Sequence, residues 1–172
     1  MLRGIGGGMI LAGCLGLGIS YRVNLMGRIR LLQQLTEVLE LLESEIRYGQ
    51  STLPESCFKA GKKLDNRLGR VLQEIGRETC ESGGESFPRI FRERMEQAIG
   101  ERGFKREDRE NFFRFIPGEG FSDEKMQLRA VESCRERLEK TRERLEREGA
   151  EKSRIAVGLG AMSGLLLILV LW

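Results

Sequence analysis

The fold of this chain is decided by the stretch LMGRIRLLQQLTEVLELLESEI, which occupies residues 25–46. Its apolar residues recur at spacings of three and four, which is the period of one face of an α-helix. Polar and charged residues fill the other positions, so one face is predicted to be buried and the other solvated. The members of this apolar stripe are Leu25, Ile29, Leu32, Leu35, Leu39, Leu42 and Ile46.

The helical pattern continues beyond residue 46, interrupted by turn residues. Gly49 is predicted to end the first helix in a left-handed conformation. Thr52 and Glu55 have the spacing of a capping box and open a second helix, with Pro54 in its first turn. Later breaks are predicted at residues 82–84, 103 and 117–118, where glycine and proline cluster. The predicted inward residues of the later helices are Leu53, Cys57, Phe58, Leu64, Leu68, Val71, Leu72, Ile75, Ile90, Phe91, Met95, Ala98, Ile99, Phe112, Phe113, Ile116, Val131, Cys134, Leu138, Thr141 and Leu145.

The predicted fold class is all-α, because no segment alternates apolar and polar residues over a run rich in β-branched side chains. The expected architecture is an antiparallel bundle of about six helices whose first and last members are the longest. A transmembrane helix is predicted to flank the bundle at each end. The predicted division is a first span at residues 1–21, a bundle at 22–154 and a second span at 155–172.

The predicted spans rest on two apolar runs, residues 4–21 and 155–172, which contain no charged side chain. Each run has 18 residues and reaches about 27 Å as a helix, close to the roughly 30 Å hydrocarbon core of a bilayer. Small residues recur at every fourth position, which suits close helix packing, although glycine is common in transmembrane helices generally. Two alternatives stay open for the first run: a cleaved signal peptide, or a lipid anchor at Cys14, which ends a lipobox-like Leu-Ala-Gly-Cys.

Basic residues mark the inner flank of both runs. Arg22, Arg28 and Arg30 follow the first run, and Lys152 and Arg154 precede the second. The positive-inside rule then places the middle of the chain in the cytoplasm and both termini outside. We call these five residues the basic collar. It is predicted to rest on anionic lipid headgroups, although a role as topology signals alone explains it equally well.

The composition argues against an enzyme. The chain has no His, which removes the usual general base and most zinc sites. Glu37, Glu40 and Glu43 share a helix face, but no second acid–base or metal motif accompanies them, so a solvated acidic face is the better interpretation. None of the four cysteines has C-x-x-C spacing; reduced thiols are predicted, with a disulfide or metal role as the alternative. No cofactor is predicted, and a net charge of +3 is too mild to indicate nucleic-acid binding.

Three stretches of the chain resemble the stage III sporulation protein AB family. The most specific is LESEIRYG at residues 42–49, followed by TLPE at 52–55. The second is GFSD at 120–123 with Gln127, and the third is the closing apolar run from Gly158. The length and the layout of the chain also match, so the resemblance covers essentially the whole sequence.

The resemblance implies a non-enzymatic platform of the channel that the mother cell builds into the forespore during endosporulation. This family looks like the cytoplasmic domains of type II secretion F proteins, and the implied partners are a sporulation secretion-type ATPase and other channel proteins. The implied location is the mother-cell membrane facing the forespore, with two spans and a cytoplasmic central domain. Two other functions stay open: a membrane-anchored helical signalling or sensor module, and an exported lipoprotein.

A partner-binding surface is predicted at the most specific of these stretches. A continuous helix from Arg22 to Tyr48 rises about 40 Å, which would place the following turn far from lipid, where a cytoplasmic partner meets it first. For Glu45 and Tyr48 the alternative is a structural role, in which the carboxylate or the hydroxyl bonds the next helix. The predicted partner-binding residues are Glu43, Glu45, Tyr48, Gly49, Pro54 and Glu55.

Overall fold

The structure is a computed structural model of the chain. It describes residues 2–49, 51–82, 87–100, 104–116 and 124–171. Within the helices, the side chains outside this description are those of residues 2–15, 17–18, 124, 150–157, 159–161 and 163–171. The predicted breaks at residues 83–84, 103 and 117–118 therefore lie outside the described residues, as does the second family-like stretch apart from Gln127.

Over the described residues the chain forms six helices and no strand, which confirms the all-helical prediction. The helices are α1 (Leu2–Gly49), α2 (Leu53–Lys63), α3 (Arg67–Glu81), α4 (Phe87–Ile99), α5 (Arg106–Phe113) and α6 (Glu124–Leu171). α1 and α6 have 48 residues each and are the longest, as expected. The first helix runs from the N-terminal apolar run through the apolar stripe without a break.

The chain divides into two compact units, one made of Met1–Arg30 with Arg142–Trp172 and the other of Leu31–Thr141. Within the part of the chain that the structure describes, no helix combines the length and the apolar character needed to cross a membrane. The runs predicted to span, residues 4–21 and 155–172, consist mostly of residues whose side chains lie outside that description. Their boundaries with the bundle stay predictions.

The core of the Leu31–Thr141 unit is built on the apolar stripe of α1. Leu32, Leu35, Leu39, Leu42 and Ile46 are completely buried, and Val38 joins them. Phenylalanines of α4, α5 and the residues after α5 form a cluster with ring centroids 5.2 to 6.4 Å apart; its members are Phe87, Phe91, Phe112, Phe113 and Phe115. The predicted inward residues that are only half-buried, over both units, are Leu25, Ile29, Phe58, Val71, Ala98, Ile116, Thr141 and Leu145.

Glycine allows α2 and α3 to form a close-packed hairpin. A Cβ on Gly76 would lie 2.7 Å from the Pro54 carbonyl oxygen, and a Cβ on Gly61 would lie 2.6 Å from the Gly69 carbonyl oxygen. Backbone oxygens cannot move aside as a flexible side chain can, so these positions exclude larger residues. Asn66 caps α3 by accepting a hydrogen bond from the Gly69 N–H at 2.9 Å. The tight turn follows from these two features together.

In the other unit, α1 and α6 approach each other closely at Gly149. A Cβ at Gly149 would meet the end of the Leu25 side chain, so a larger residue there would require that flexible side chain to move. Gly16 is a member of the small-residue stripe of the first apolar run, and a Cβ there would meet nothing within 4 Å. At Gly16, therefore, the described residues provide no neighbour for the close packing that the stripe suggests.

Candidate partner-binding and membrane-surface sites

Gly49 is the last residue of α1, and the prediction that it is left-handed is wrong. Its backbone stays on the right-handed side, whereas the positive φ among the described glycines belongs to Gly100, at 70°. The Ser51 hydroxyl donates a hydrogen bond to the Gly49 carbonyl oxygen at 3.1 Å. This bond satisfies one of the carbonyls that a helix end leaves unpaired, so a left-handed cap is not needed there.

Glu55 has a local structural role at the start of α2. The Thr52 N–H donates to Oε2 of Glu55 at 3.3 Å, which is the backward half of the predicted capping box. The Ser56 N–H donates to the Thr52 carbonyl oxygen at 2.8 Å and begins the helical hydrogen bonds. Glu55 also lies in the first turn, where a negative charge is favoured by the helix dipole.

Glu45 connects α1 to α2. Its half-buried carboxylate forms an ion pair with Nζ of Lys63, at 2.5 Å. One turn earlier on α2, Nζ of Lys59 donates to the Ser51 hydroxyl at 2.6 Å. These contacts are the ones that the structural alternative for Glu45 predicts, because the carboxylate bonds the next helix and has little surface left for a partner.

Glu43 connects α1 to α6. Its Oε1 accepts from Arg47 at 2.9 Å, and its Oε2 accepts from Nε of Arg135 at 3.1 Å. Arg47 also pairs with Glu132, and Arg135 with Glu139 at 3.2 Å. Burial lowers the pKa of Arg135, but the neighbouring carboxylates, led by Glu139, outweigh it and hold that pKa above its ordinary value. The predicted solvated acidic face therefore does not include Glu43, because that residue is half-buried in an ion-pair network.

Tyr48 is the exposed member of the predicted partner-binding set. Its side chain is 81% exposed, and the described residues offer its hydroxyl no partner. It borders a shallow pocket of about 220 Å³, which we call the Tyr48 pocket. Tyr and Arg side chains are enriched among the residues that dominate protein interfaces. The lining residues are Glu40, Glu43, Ser44, Arg47, Tyr48 and Arg135.

A second, larger concavity of about 560 Å³ lies between α2 and α3 and was not predicted from the sequence. Phe58 lines it, with Nζ of Lys62 4.4 Å from the centre of the ring. A sequence signal was available, because glycine in a helix interior is unfavourable unless packing requires it, and α3 contains two. The lining residues are Glu55, Phe58, Lys59, Gly76, Arg77, Cys80 and Glu81.

The structure thus divides the predicted partner-binding residues into three groups. Glu43 and Tyr48 line the Tyr48 pocket, whereas Glu55 lines the larger concavity between α2 and α3. Glu45, Gly49 and Pro54 build the turn and its packing. Only the first group joins an exposed aromatic residue to a concave surface.

The basic collar is also divided. Arg22 and Arg30 are exposed, but Arg28 is only 8% exposed and has an interaction within the protein. The side chains of Lys152 and Arg154 lie outside the described residues. Arg28 is therefore withdrawn from any headgroup contact, because its position on the helix turns it inward.

The described cysteines are free thiols in two different environments. Burial raises the pKa of Cys134 to about 12 and raises the pKa of Cys57 still further, so both stay neutral and pack as small apolar groups. Cys80 is exposed. Among the described residues, no group of three or more cysteines and carboxylates is placed to hold a metal ion.

These features define a helical protein whose described surface carries concavities at Tyr48 and between α2 and α3. The chain belongs to the family described as stage III sporulation protein AB, which matches residues 3–172. It is also similar to Stage III sporulation protein AB of Bacillus subtilis (strain 168), with 23% identity over 171 residues that cover 99% of each chain. No solved structure matches it. Membership implies a role in sporulation and confirms the sequence resemblance, and neither match names an enzyme.

Proposed function

We propose that this chain is a non-enzymatic membrane platform component of the mother-cell-to-forespore channel that endospore formation requires. The observation that carries the proposal is the family match over nearly the whole chain. The channel, the secretion-type ATPase partner and the mother-cell membrane are what the sequence resemblance implies. The exposed Tyr48 pocket supports a role in protein docking.

In this proposal, residues 4–21 and 155–172 are membrane spans, both termini lie outside and the helical bundle lies in the cytoplasm. The uncharged length of the two runs and the arginines that follow the first support this topology. The exposed thiol of Cys80 can be used to test this topology without introducing a new cysteine. A membrane-impermeant thiol reagent should leave Cys80 unlabelled in intact cells and label it after permeabilisation, with Cys80→Ser as the control. Labelling in intact cells would contradict the topology.

The docking part of the proposal places the ATPase at the Tyr48 pocket. An exposed tyrosine beside a shallow pocket can bury its ring on a partner at a low cost in side-chain entropy. The ion-pair network that includes Glu43 and Arg135 holds the walls of the pocket in place. A pocket that is held rigid beside an exposed aromatic side chain can bind and release the same partner repeatedly.

The test separates docking from folding by comparing two variants of the full chain. Tyr48→Ala should lose ATPase pull-down with an unchanged melting temperature, because the side chain is exposed and contacts no described partner. Glu45→Ala should lower the melting temperature, because it breaks the pair with Lys63. Exposed Glu74 on α3 provides the matched control, since Glu74→Ala should alter neither measurement. Normal pull-down by Tyr48→Ala would exclude the Tyr48 pocket as the docking site.

A membrane-anchored signalling or sensor module is the second candidate. The continuity of α1 and of α6, each 48 residues long, favours it, because an unbroken helix can transmit a displacement along its length. The two functions differ in their need for the ATPase. Purified chain and purified ATPase should form a complex if the platform proposal holds, whereas a sensor needs no such complex.

For the basic collar, we propose that Arg22 and Arg30 bind anionic headgroups, at about 1 kcal/mol per residue near the surface. Arg28 is left out because it is buried. Addition of anionic phospholipid to the full chain in neutral detergent should raise its melting temperature, and salt should reduce the effect. Arg22→Glu with Arg30→Glu should weaken this response, whereas exposed Arg70→Glu on α3 should not. An equal response in both variants would leave the collar as a topology signal alone.

A further inference from the structure

Large apolar side chains of α1 stay exposed where its uncharged run ends. Ile19 is 62% exposed, Val23 is 64% exposed and Met26 is 45% exposed. Their spacings of four and three place them on one face of the helix, and Arg30 continues the same face one turn later. Single exposed apolar residues are ordinary, but a contiguous stripe indicates a partner surface.

The opposite side of the same segment is packed from Leu25 onward, whereas Tyr21 and Asn24, about one turn earlier on that side, are exposed. Leu25 lies against Gly149 of α6, and Arg28 is buried with an interaction inside the protein. From Leu25 to Arg30 the segment thus has an inner side that packs on protein and an outer face that is exposed. We define the outer face by Ile19, Val23, Met26 and the exposed arginines Arg22 and Arg30.

We infer that this outer face lies in the headgroup layer of an anionic bilayer, so that lipid contact continues past the uncharged run to Met26. The inference rests on the proposed membrane anchoring and goes beyond it, because the charge pattern alone ends the span at Tyr21. From Tyr21 to Met26 the helix rises about 7.5 Å. The headgroup layer on each side of the hydrocarbon core is about 5 to 8 Å thick, so the segment fits it.

The side chains suit that layer. Exposed Tyr21, on the other side of the helix at the same level, has an apolar ring and a polar hydroxyl, the combination enriched at the membrane–water boundary. Arg22 and Arg30 can lay their aliphatic stems along the apolar stripe while their guanidinium groups reach phosphate oxygens. Val23 and Met26, between them, supply the apolar contact with the upper ends of the acyl chains.

The positive charge of the outer face favours lipid, rather than a second copy of the chain, as the partner that covers it. A symmetric dimer through the outer face would bring Arg22 and Arg30 of one chain beside those of its partner, because a two-fold interface uses the same patch twice. The exposed side chains of the stripe itself include no carboxylate to offset that repulsion. Anionic phosphates provide the missing charge.

The test uses full-length chain in vesicles of phosphatidylcholine and phosphatidylglycerol that carry bromine on the acyl chains near the headgroup. Trp172→Phe removes the native tryptophan, and a single tryptophan replaces Ile19, Val23, Met26 or Glu37 in turn. Bromine quenches tryptophan only on close approach. The Val23→Trp and Met26→Trp variants should lose fluorescence as Ile19→Trp does, whereas Glu37→Trp, further along α1 on the same face, should not.

Each outcome separates the inference from the proposal beneath it. If Ile19→Trp is quenched while Val23→Trp and Met26→Trp match Glu37→Trp, the span is embedded but lipid contact ends at Tyr21, and the inference fails. If Ile19→Trp is also unquenched, the membrane anchoring itself fails. A blue-shifted but unquenched tryptophan at positions 23 and 26 would show that protein covers the face, which also overturns the inference. Tryptophan's own affinity for the boundary is controlled by Asn24→Trp, on a different face of the same segment, which should be quenched less.

Discussion

Two parts of α1 use similar residues in opposite ways. Between residues 32 and 46 the apolar side chains of its stripe are completely buried, whereas Ile19, Val23 and Met26, on the preceding turns, are largely exposed. Both sets have helical spacing. The difference shows that periodicity identifies a helix and its apolar face, but not the material that covers that face.

The glycines of the two units repeat the contrast. In the Leu31–Thr141 unit, a Cβ on Gly61 or Gly76 would meet backbone atoms at 2.6 to 2.7 Å. In the other unit, Gly16 and Gly27 have nothing within 4 Å of such an atom. The same residue type therefore marks a close backbone contact in one unit and an open helix surface in the other.

Truncation of a core leucine and of an exposed valine tests the first contrast. Leu42→Ala should lower the free energy of unfolding by about 2–5 kcal/mol, because Leu42 is completely buried in the core. Val23→Ala should change it by no more than about 0.5 kcal/mol, since its side chain is exposed. Chemical denaturation of the full chain in detergent, followed by circular dichroism, measures both. A large loss in Val23→Ala would mean that the outer face is covered by protein.

A glycine pair tests the second contrast. Gly76→Ala should destabilise the fold by about 1–3 kcal/mol, because the new methyl group would press on the Pro54 carbonyl. Gly27→Ala should have the opposite sign and stabilise by up to about 1 kcal/mol, since alanine is the better helix former where space is open. Melting temperatures of the two variants give the signs. Equal destabilisation would show that the open space at Gly27 is filled.

An intermediate effect is expected where the acidic face of α1 becomes buried. Glu43→Gln should cost about 1–2 kcal/mol, between the values for exposed and buried pairs, because it removes one of the two carboxylates that pair with half-buried Arg135 and leaves only Glu139. Exposed Glu37→Gln is the matched control and should stay within about 0.5 kcal/mol. The denaturation midpoints of the two variants measure this difference. Equal midpoints would show that Glu43 belongs to the solvated acidic face.

The cysteines give a prediction with no mutation. At pH 8 a thiol reagent should modify Cys80 quickly and Cys57 and Cys134 only after unfolding, because burial raises the pKa of the latter two. Peptide mass mapping resolves each site. Since the folded state of Cys134 keeps its proton up to a pKa of about 12 against an ordinary 9.0, its contribution to stability is present below pH 9 and is lost as the pH rises towards 12. Rapid native modification of Cys134 would show that the core opens.

Local features of the fold were predictable where neighbours in sequence decide them. The apolar stripe, the end of α1 at Gly49 and the Thr52–Glu55 hydrogen bond were predicted correctly, because each depends on residues within one or two helical turns. The left-handed Gly49 was wrong, since the Ser51 hydroxyl satisfies its carbonyl instead. The Asn66 cap was missed, although an asparagine before a helical run is a recognised start signal.

The position of the candidate site could be predicted from the sequence, but the role of each of its residues could not. Glu45 and Tyr48 are three residues apart, yet one is half-buried against Lys63 and the other is exposed, because a shift of three positions on a helix changes the neighbour that a side chain meets. Arg28 and Arg30 differ in the same way. Long-range partners such as Lys63 and Arg135 carry no local signal.

The order of the amino acids was enough to predict that this protein is helical, where α1 ends, that no histidine chemistry is available, and to which family the chain belongs. These properties depend on composition, on short-range spacing and on similarity along the chain. The packed fold was needed to show that Glu43 binds Arg135, that α2 and α3 meet through Gly61 and Gly76, and that Tyr48 stays exposed. Each of these depends on packing between residues distant in sequence, and packing is a property of surfaces in three dimensions.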